Sequence, residues 1–238
     1  MKKIILSLFA LGFAAVIAYS GYRIWLIQAD YRAESKMHDK MMEYRPEDNP
    51  EELPADEIIN QSVIDLQSKY PDTVGWLRVP DTNIDYPFVW YKNNDYYLRR
   101  DMNGEYALAG TLFIDYRCEK DFSSRNTIIY GHNMKNGSMF GALNSFNSKA
   151  FFEENRYAVI YLPNANLTIE FFAYMVVRPN DAEVYNTEPG ETYLDYIKQS
   201  ARHYRDIGLT DKDSFITLST CSYEFNDARM VLIAKYSS

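Results

Sequence analysis

The N-terminus carries a long uninterrupted run of hydrophobic positions. Lys2 and Lys3 precede residues 4–22, which are uncharged and dominated by Ile, Leu, Phe, Ala and Val. A helix over these residues would span about 28 Å, close to the roughly 30 Å hydrocarbon core of a bilayer. The pattern predicts an uncleaved signal anchor over 1–28, with the N-terminus in the cytoplasm and the rest of the chain outside the cell. A cleaved signal peptide and a buried core helix remain as alternatives.

The pattern then turns polar over 29–56. Six acidic residues and no basic ones lie between Glu47 and Glu57, together with two prolines. This composition is typical of a solvated acidic spacer between an anchor and a folded domain. A surface loop of the domain itself is the alternative interpretation. The folded domain is expected over 57–238, which is long enough to bury one sizeable core.

Short β-prone runs dominate the remainder of the chain. Eight predicted strands cover 74–79, 84–89, 111–114, 127–130, 157–162, 167–177, 215–220 and 230–236. Three helical segments are predicted at 58–70, 138–146 and 192–204, and residues 163–166 are typical of a hairpin turn. Many short strands with few helices predict a mainly β fold, an antiparallel barrel or sandwich with flanking helices.

Composition and charge narrow the function. The chain is 47% hydrophobic and carries a net charge of -8, so nucleic acid is not an expected partner. Its two cysteines, 103 positions apart, match neither a disulfide framework nor zinc-ligand spacing. Phosphate-cradling glycine loops and Gly-x-Ser-x-Gly elbows are absent from the sequence. We therefore expect no metal and no cofactor.

Cys221 is the first candidate for chemistry. It ends the predicted strand 215–220 and opens onto the polar residues 222–227, where a substrate could reach its thiol. A buried cysteine that packs as a small hydrophobe is the alternative. The other cysteine, Cys118, precedes Glu119, Lys120 and Asp121, so we expect a partly exposed thiol outside the site, not bonded to Cys221.

His132 and Arg229 are the other candidates. His132 follows Gly131 directly after a predicted strand, where a glycine allows the close approach of another chain segment. Arg229 opens the last predicted strand, so a hairpin would place it opposite Cys221. There a guanidinium could bind a carbonyl oxygen or an oxyanion beside a nucleophile. A satisfied loop histidine and a surface arginine are the alternatives.

The motif Thr217-Leu218-Ser219-Thr220-Cys221, with Arg229 after it and Tyr130-Gly131-His132-Asn133 before it, resembles the sortase family, the membrane-anchored cysteine transpeptidases of Gram-positive cell surfaces. The resemblance covers roughly 74–238. Further stretches resemble class B members in particular: 75–77, 82–87, 94–98, 110–117 and 139–140. Cys118 departs from the pattern, because class B relatives often have Asn there.

The resemblance implies an eight-stranded sortase β-barrel with an N-terminal helical extension and a helix before the cysteine strand. It also implies a Cys221, His132 and Arg229 active site in a catalytic domain over 57–238. Asn94, Ser219 and Thr220 are expected to bind substrate or shape its groove. The implied substrates are surface proteins with a C-terminal sorting motif, cleaved after threonine through a thioester. The implied acceptor is an amine of a peptidoglycan precursor (lipid II) or of a pilin.

Two other functions stay open at this stage. One is a cysteine peptidase of another class, although papain-like enzymes place the cysteine early, on a helix, with the histidine downstream. The other is a non-enzymatic, membrane-anchored surface binding protein with a structural thiol. Labelling of Cys221 by a thiol-directed reagent, with loss of activity, would separate the enzyme from the binding protein.

Overall fold

The N-terminal part of the chain forms one long helix. A computed structural model of the protein describes residues 2–47, 58–221 and 227–237, with the backbone alone at 2, 221 and 237. Helix α1 spans Lys2–Met42 and is long and apolar enough to cross a membrane. Contacts divide the chain into two units, Met1–Lys40 and Met41–Ser238.

The predicted spacer is therefore helical at its start. The helix continues through residues 29–42, which belong to the segment that we expected to be a solvated acidic spacer. Met41 is already 97% buried in the second unit, in which Arg45 pairs with Asp85 at 2.7 Å. Most of the acidic stretch, 48–57, lies outside the described residues. The boundaries 1–28, 29–56 and 57–238 thus stay predictions.

The second unit is built mainly from strands. Its helices are α2 (Gln61–Lys69), α3 (Lys149–Glu154) and α4 (Tyr193–Ser200), with 3-10 turns at Tyr97–Arg99 and Phe140–Asn147. Its strands are β1 (Thr73–Arg78), β2 (Asp85–Trp90), β3 (Leu112–Ile114), β4 (Asn126–Tyr130), β5 (Tyr157–Leu162), β6 (Ala165–Val177), β7 (His203–Tyr204), β8 (Ser214–Cys221) and β9 (Arg229–Ser237).

Eight of these strands close into a barrel. The pairing order is β5-β1-β2-β3-β4-β8-β9-β6, and β6 pairs back onto β5. The two closing strands form a tight hairpin in which Leu162 pairs with Ala165, so only Pro163 and Asn164 turn the chain. Closure leaves these strands without a free edge along their paired length. The predicted mainly β fold and the eight-stranded barrel are confirmed.

The sequence predicted an antiparallel barrel or sandwich, but the barrel is only partly antiparallel. Strands β2 and β3 run parallel, and so do β4 and β8. A parallel pair needs a crossover, because the chain must return to the same end of the sheet before it can enter the next strand. Residues 131–213 make this crossing between β4 and β8, and they contain β5, β6 and the last two helices.

The predicted helix 192–204 is too long at its C-terminus. Helix α4 ends at Ser200, and His203 and Tyr204 form the short strand β7. Strand β6 has 13 residues, but β5 pairs only with its first part, up to Glu170. The open edge beyond that point is covered by β7, which pairs with Ala173 and Tyr174. Helix α4 therefore ends before His203 and Tyr204, because these two residues pair with the open edge of β6.

The barrel interior and the space under its helices are filled by large hydrophobic side chains. The largest fully buried ones include Trp76, Phe88, Phe140, Phe146, Phe152, Phe171, Phe172, Tyr174, Tyr193 and Phe215. Each large side chain that leaves water contributes about 1.5–3 kcal/mol. This aromatic core is drawn from both the strands and the crossover.

Candidate active site

Three neighbouring strands bring the candidate residues to one end of the barrel. Strands β4 and β8 are parallel, with Tyr130 paired to Ser219. The segments after these two residues, which carry His132 and Cys221, therefore leave the barrel at the same end. Strand β9 runs antiparallel to β8 and begins there, with Arg229 opposite Cys221. The hairpin prediction for Cys221 and Arg229 is confirmed in its strand register.

A cavity of about 230 Å³ opens at this end of the barrel. Six residues were predicted for the active site, including Cys221. The other five line this cavity: Asn94, His132, Ser219, Thr220 and Arg229. Cys221 directly follows Thr220 on β8, and its side chain lies outside the described atoms. The other lining residues are Leu98, Thr111, Phe113, Tyr130, Gly131, Pro179 and Tyr185.

His132 is held in place by two hydrogen bonds, one at its ring and one at its backbone carbonyl. Its Nε2 lies 2.7 Å from the carbonyl oxygen of Leu98, and its own carbonyl oxygen accepts a hydrogen bond from Phe140 N. A carbonyl can only accept, so Nε2 carries a proton and Nδ1 is the acceptor nitrogen of the neutral ring. Burial lowers the pKa of His132 below its ordinary value, and nearby Arg99 adds to this, although the Leu98 contact opposes it.

Gly131 provides the close approach that the sequence predicted at this position. A Cβ atom there would lie 2.4 Å from Leu112 Cδ2 and 2.7 Å from the ring of Phe140. Gly131 N also donates to the carbonyl oxygen of Ser219, which extends the β4–β8 pairing by one bond. Only a residue without a side chain fits between these neighbours. This close packing fixes the backbone position from which His132 follows.

Arg229 is partly buried at the start of β9. Its Nη1 donates to the carbonyl oxygens of Asp227, at 3.1 Å, and Ala228, at 3.2 Å. These two bonds fix the guanidinium against the turn that precedes β9. Because a guanidinium carries five N–H donors in a rigid fork, donors remain for an oxygen in the cavity.

Ser219 and Thr220 form the floor of the cavity beside Cys221. Ser219 is fully buried, and its hydroxyl lies 2.9 Å from the hydroxyl of Tyr185. Thr220 is 97% buried, and its Oγ1 has no hydrogen-bond partner in the described part of the chain. A buried hydroxyl without a partner costs free energy, so Thr220 Oγ1 is suited to a polar group of a bound ligand.

Asn94 joins a polar network that the sequence analysis did not find. Its Nδ2 donates to Asp115 Oδ2 at 3.2 Å, and Asp115 also accepts from Tyr130 and Arg117. The missed signal was local: Asp115 and Arg117 lie two residues apart directly after a β-strand, within a stretch already quoted for its class B resemblance. Nothing in their spacing indicated that Asn94 and Tyr130 would meet them.

Cys118 differs from its prediction. It is 98% buried, not partly exposed, and its thiol donates to the carbonyl oxygen of Asn126 at 3.5 Å. Burial raises the pKa of Cys118 to about 11, so the thiol stays protonated at neutral pH. It is a free cysteine, as predicted. Within the residues that the structure describes, no group of three or more His, Cys, Asp or Glu is arranged to hold a metal ion.

A closed eight-stranded barrel with a candidate cysteine, histidine and arginine at one end is the architecture of a known class of enzymes. A sortase-domain family model matches residues 77–237. Sortase B of Listeria monocytogenes is 38% identical over 183 residues, which cover 74% of each chain. Clostridium perfringens sortase B superposes with a TM-score of 0.69 at 34% identity, over 74% of this chain and 99% of that one.

A third similar structure is a Streptococcus pyogenes class B sortase involved in pilus biogenesis. Its TM-score is 0.68 at 33% identity, over 73% of this chain and 97% of that chain. The chain therefore belongs to the sortase family. The curated relatives and the structural neighbours named here are class B sortases, and the protein is a cysteine transpeptidase of that class.

Proposed function

We propose that Cys221 is the nucleophile of a transpeptidation in which His132 transfers protons and Arg229 binds the oxyanion. The observation that carries this assignment is the shared barrel end. His132 and Arg229 line one cavity with Ser219 and Thr220, and Arg229 is the strand partner of Cys221. A nucleophile, a proton carrier and a fixed cation are the three groups that acyl transfer through a thioester requires.

In the first half-reaction the Cys221 thiol gives its proton to neutral His132. The thiolate attacks the carbonyl carbon of the threonine in the sorting motif, and the negative charge moves to the carbonyl oxygen beside Arg229. The tetrahedral intermediate collapses to a thioester as the bond to the following residue breaks. The imidazolium of His132 gives its proton to the departing amine. The lowered pKa of His132 makes its imidazolium a stronger acid and so favours this last proton transfer to the amine.

The second half-reaction runs through the same groups in reverse. An incoming amine attacks the thioester carbonyl, His132 accepts the proton of that amine, and Cys221 departs. The products are a new amide bond and the free enzyme, in which the His132 imidazolium returns that proton to the Cys221 thiolate. Water in place of the amine gives hydrolysis. The neutral Nδ1 of His132 is the atom suited to accept the proton, because Nε2 is occupied by Leu98.

The proposed substrates are surface proteins with a C-terminal sorting motif, and the acceptor is an amine of lipid II or of a pilin. The Streptococcus pyogenes relative involved in pilus biogenesis supports keeping the pilin as a candidate. Asn94, Ser219 and Thr220 are proposed to contact the sorting peptide, since all three line the cavity.

We also propose that residues 1–28 anchor the enzyme in the cell membrane, with the catalytic domain outside. The apolar part of α1 supports this, together with Lys2 and Lys3 before it. An anchor confines the enzyme and a membrane-bound substrate to one surface and so raises their effective concentration.

The test uses the full chain in detergent and a library of fluorogenic peptides with threonine at the scissile position. Wild-type protein is expected to cleave a subset of these peptides and to form a thioester adduct on Cys221 that mass spectrometry detects. Hydroxylamine should release the acyl group as a hydroxamate. Cys221→Ala should lose both cleavage and adduct, whereas Cys118→Ser, the matched control, should keep them. Substantial cleavage by Cys221→Ala would overturn the mechanism.

The same library addresses the acceptor. The best-cleaved peptide is offered together with either a lipid II stem peptide or a lysine-containing pilin peptide, and the ligated product is measured. Faster ligation to the stem peptide would assign wall anchoring, and faster ligation to the pilin peptide would assign pilus assembly. Ligation to neither, with hydrolysis only, would contradict the transpeptidase assignment for these acceptors.

A further inference from the structure

Asp115 is a fully buried carboxylate next to the active-site cavity and has no part in the proposed chemistry. It follows β3 directly and has an exposed fraction of 0%. A carboxylate in such a position is costly unless hydrogen-bond donors surround it. Its side chain lies outside the set that lines the cavity, so it does not contact a substrate bound there.

Five donors satisfy this carboxylate. Oδ1 accepts from the backbone N of Arg117 at 3.0 Å and from its Nε at 2.9 Å. Oδ2 accepts from Arg117 Nη2 at 2.8 Å, from Tyr130 Oη at 3.0 Å and from Asn94 Nδ2 at 3.2 Å. Burial alone would raise the pKa of Asp115, but the bonds from Arg117 and Tyr130 outweigh it and lower the pKa. The carboxylate is therefore ionised at neutral pH.

Two of the donors are residues of the cavity wall. Tyr130 ends β4, two residues before His132, and Asn94 lies in the segment between β2 and β3. Arg117 extends the network through a bond from Nη2 to the carbonyl oxygen of Tyr185, another lining residue. One buried charge thus connects three separate chain segments around the cavity.

The amide of Asn94 is fixed at both ends. Its Oδ1 accepts from the backbone N of Tyr116 at 3.0 Å, while one Nδ2 hydrogen is donated to Asp115. An ionised carboxylate can only accept, so the amide nitrogen must face Asp115. The reversed orientation would place two acceptors, Asn94 Oδ1 and Asp115 Oδ2, against each other. Because Asn94 lines the cavity, its second Nδ2 hydrogen is available to a group bound there.

We infer that Asp115 is a positioning residue that holds the Asn94 amide as a fixed N–H donor for a main-chain carbonyl oxygen of the sorting peptide. This inference rests on the proposed function, because it assigns a role in binding the same substrate. An N–H donor needs an acceptor in the ligand. An extended peptide presents main-chain carbonyl oxygens along its whole length, and these can accept that hydrogen bond. In substrate binding Asp115 acts through Asn94, so its loss should raise KM no further once the amide is gone, while its bonds to Arg117 and Tyr130 contribute to stability.

The test is a double-mutant cycle on the full chain in detergent, with the best-cleaved fluorogenic threonine peptide as the probe. Asn94→Ala is expected to raise KM about two- to tenfold with little change in kcat, the range for one hydrogen bond that is present before and during reaction. Asp115→Asn should raise KM by a similar factor. The double variant should be no worse than Asn94→Ala, because both changes remove the same donor.

Asp85→Asn is the matched control. Asp85 is a partly buried carboxylate at the start of β2 that accepts from Trp76 Nε1 and pairs with Arg45, and it does not line the cavity. Its replacement should lower the melting temperature without changing KM. If Asp115→Asn does not fold, Asp115→Glu keeps the charge, and its extra methylene displaces the carboxylate, so the same coupling to Asn94→Ala is expected.

Additive losses of Asp115 and Asn94 variants would overturn the inference, as would a loss in kcat alone or an unchanged KM in Asn94→Ala. These outcomes are distinct from failure of the proposed function. All variants of the cycle keep Cys221, His132 and Arg229, so additive losses would leave transpeptidation intact. Conversely, activity that survives Cys221→Ala would reject the mechanism without any measurement on Asp115.

Discussion

Gly131→Ala tests whether the close packing behind His132 supports the active site. The new Cβ would lie 2.4 Å from Leu112 Cδ2 and 2.7–2.8 Å from two ring atoms of Phe140. Real Cβ contacts are essentially never this short, so the neighbours must move. The leucine methyl is the end of a flexible side chain and can turn away. The Phe140 ring is fully buried and cannot turn as freely.

The magnitude follows from the cost of overpacking. A methyl group forced into a well-packed core costs about 1–3 kcal/mol. For a folded unit of this size, each kcal/mol lowers the melting temperature by roughly 2–4 °C, so about 2 kcal/mol corresponds to a decrease of about 4–8 °C. Activity should fall as well, because His132 follows Gly131 and a displacement of the order of 1 Å costs about 100-fold in rate.

Thermal unfolding followed by circular dichroism and cleavage of the best fluorogenic peptide would measure the two effects. Gly190→Ala is the matched control, because a Cβ at Gly190 meets no heavy atom within 4 Å. That control should leave both the melting temperature and kcat/KM near the wild-type values. If Gly131→Ala also keeps both values, the packing behind His132 does not set its position and the reasoning is wrong.

The other predictions concern the remaining site residues and the anchor. Arg229→Lys should lose about 10²- to 10³-fold in kcat, because lysine keeps the charge but not the planar fork; near-normal turnover would reduce Arg229 to a packing role. NMR titration of His132 should give a pKa below 6.5, and protonation of a group with a lowered pKa opposes folding, so its stabilising contribution should fade as the pH drops below about 6.5. A pKa above 6.5 would contradict the burial argument. Cys118 should resist thiol reagents at pH 8 in the native protein and react after denaturation, since its pKa is about 11. Removal of residues 1–28 should leave soluble protein with peptide-cleaving activity, because Met41–Ser238 is a compact unit of its own; aggregation would show that the removed helix belongs to the fold.

The local structure was largely predictable, and the exceptions have tertiary causes. All eight predicted strands have counterparts in the barrel with ends within about three residues, because short runs of β-prone residues bounded by turn residues mark strands in the sequence. The end of the predicted helix 192–204 was wrong, since His203 and Tyr204 pair with the open edge of β6. Cys118 was expected near solvent because its sequence neighbours are charged, yet its own side chain turns into the core.

The residues of the candidate site were likewise only partly predictable from the sequence. Cys221, His132 and Arg229 could be selected from the sequence because each stands at the end of a predicted strand in a family motif. Their reactive roles remain predictions, although the cavity now contains His132 and Arg229 together. The role of Asp115 could not be selected, because its partners Asn94 and Tyr130 come from segments 21 and 15 positions away. Sequence spacing alone carries no information about such contacts.

The sequence by itself determined where most elements lie, that the first helix is apolar enough for a membrane, and which family the chain resembles. Only the tertiary structure decided that β4 and β8 are parallel neighbours. That pairing brings His132 to the barrel end of Cys221, across a crossover of more than eighty residues. The physical reason is that strand pairing is set by closure of the barrel and burial of its core, which act between distant segments and leave no local pattern.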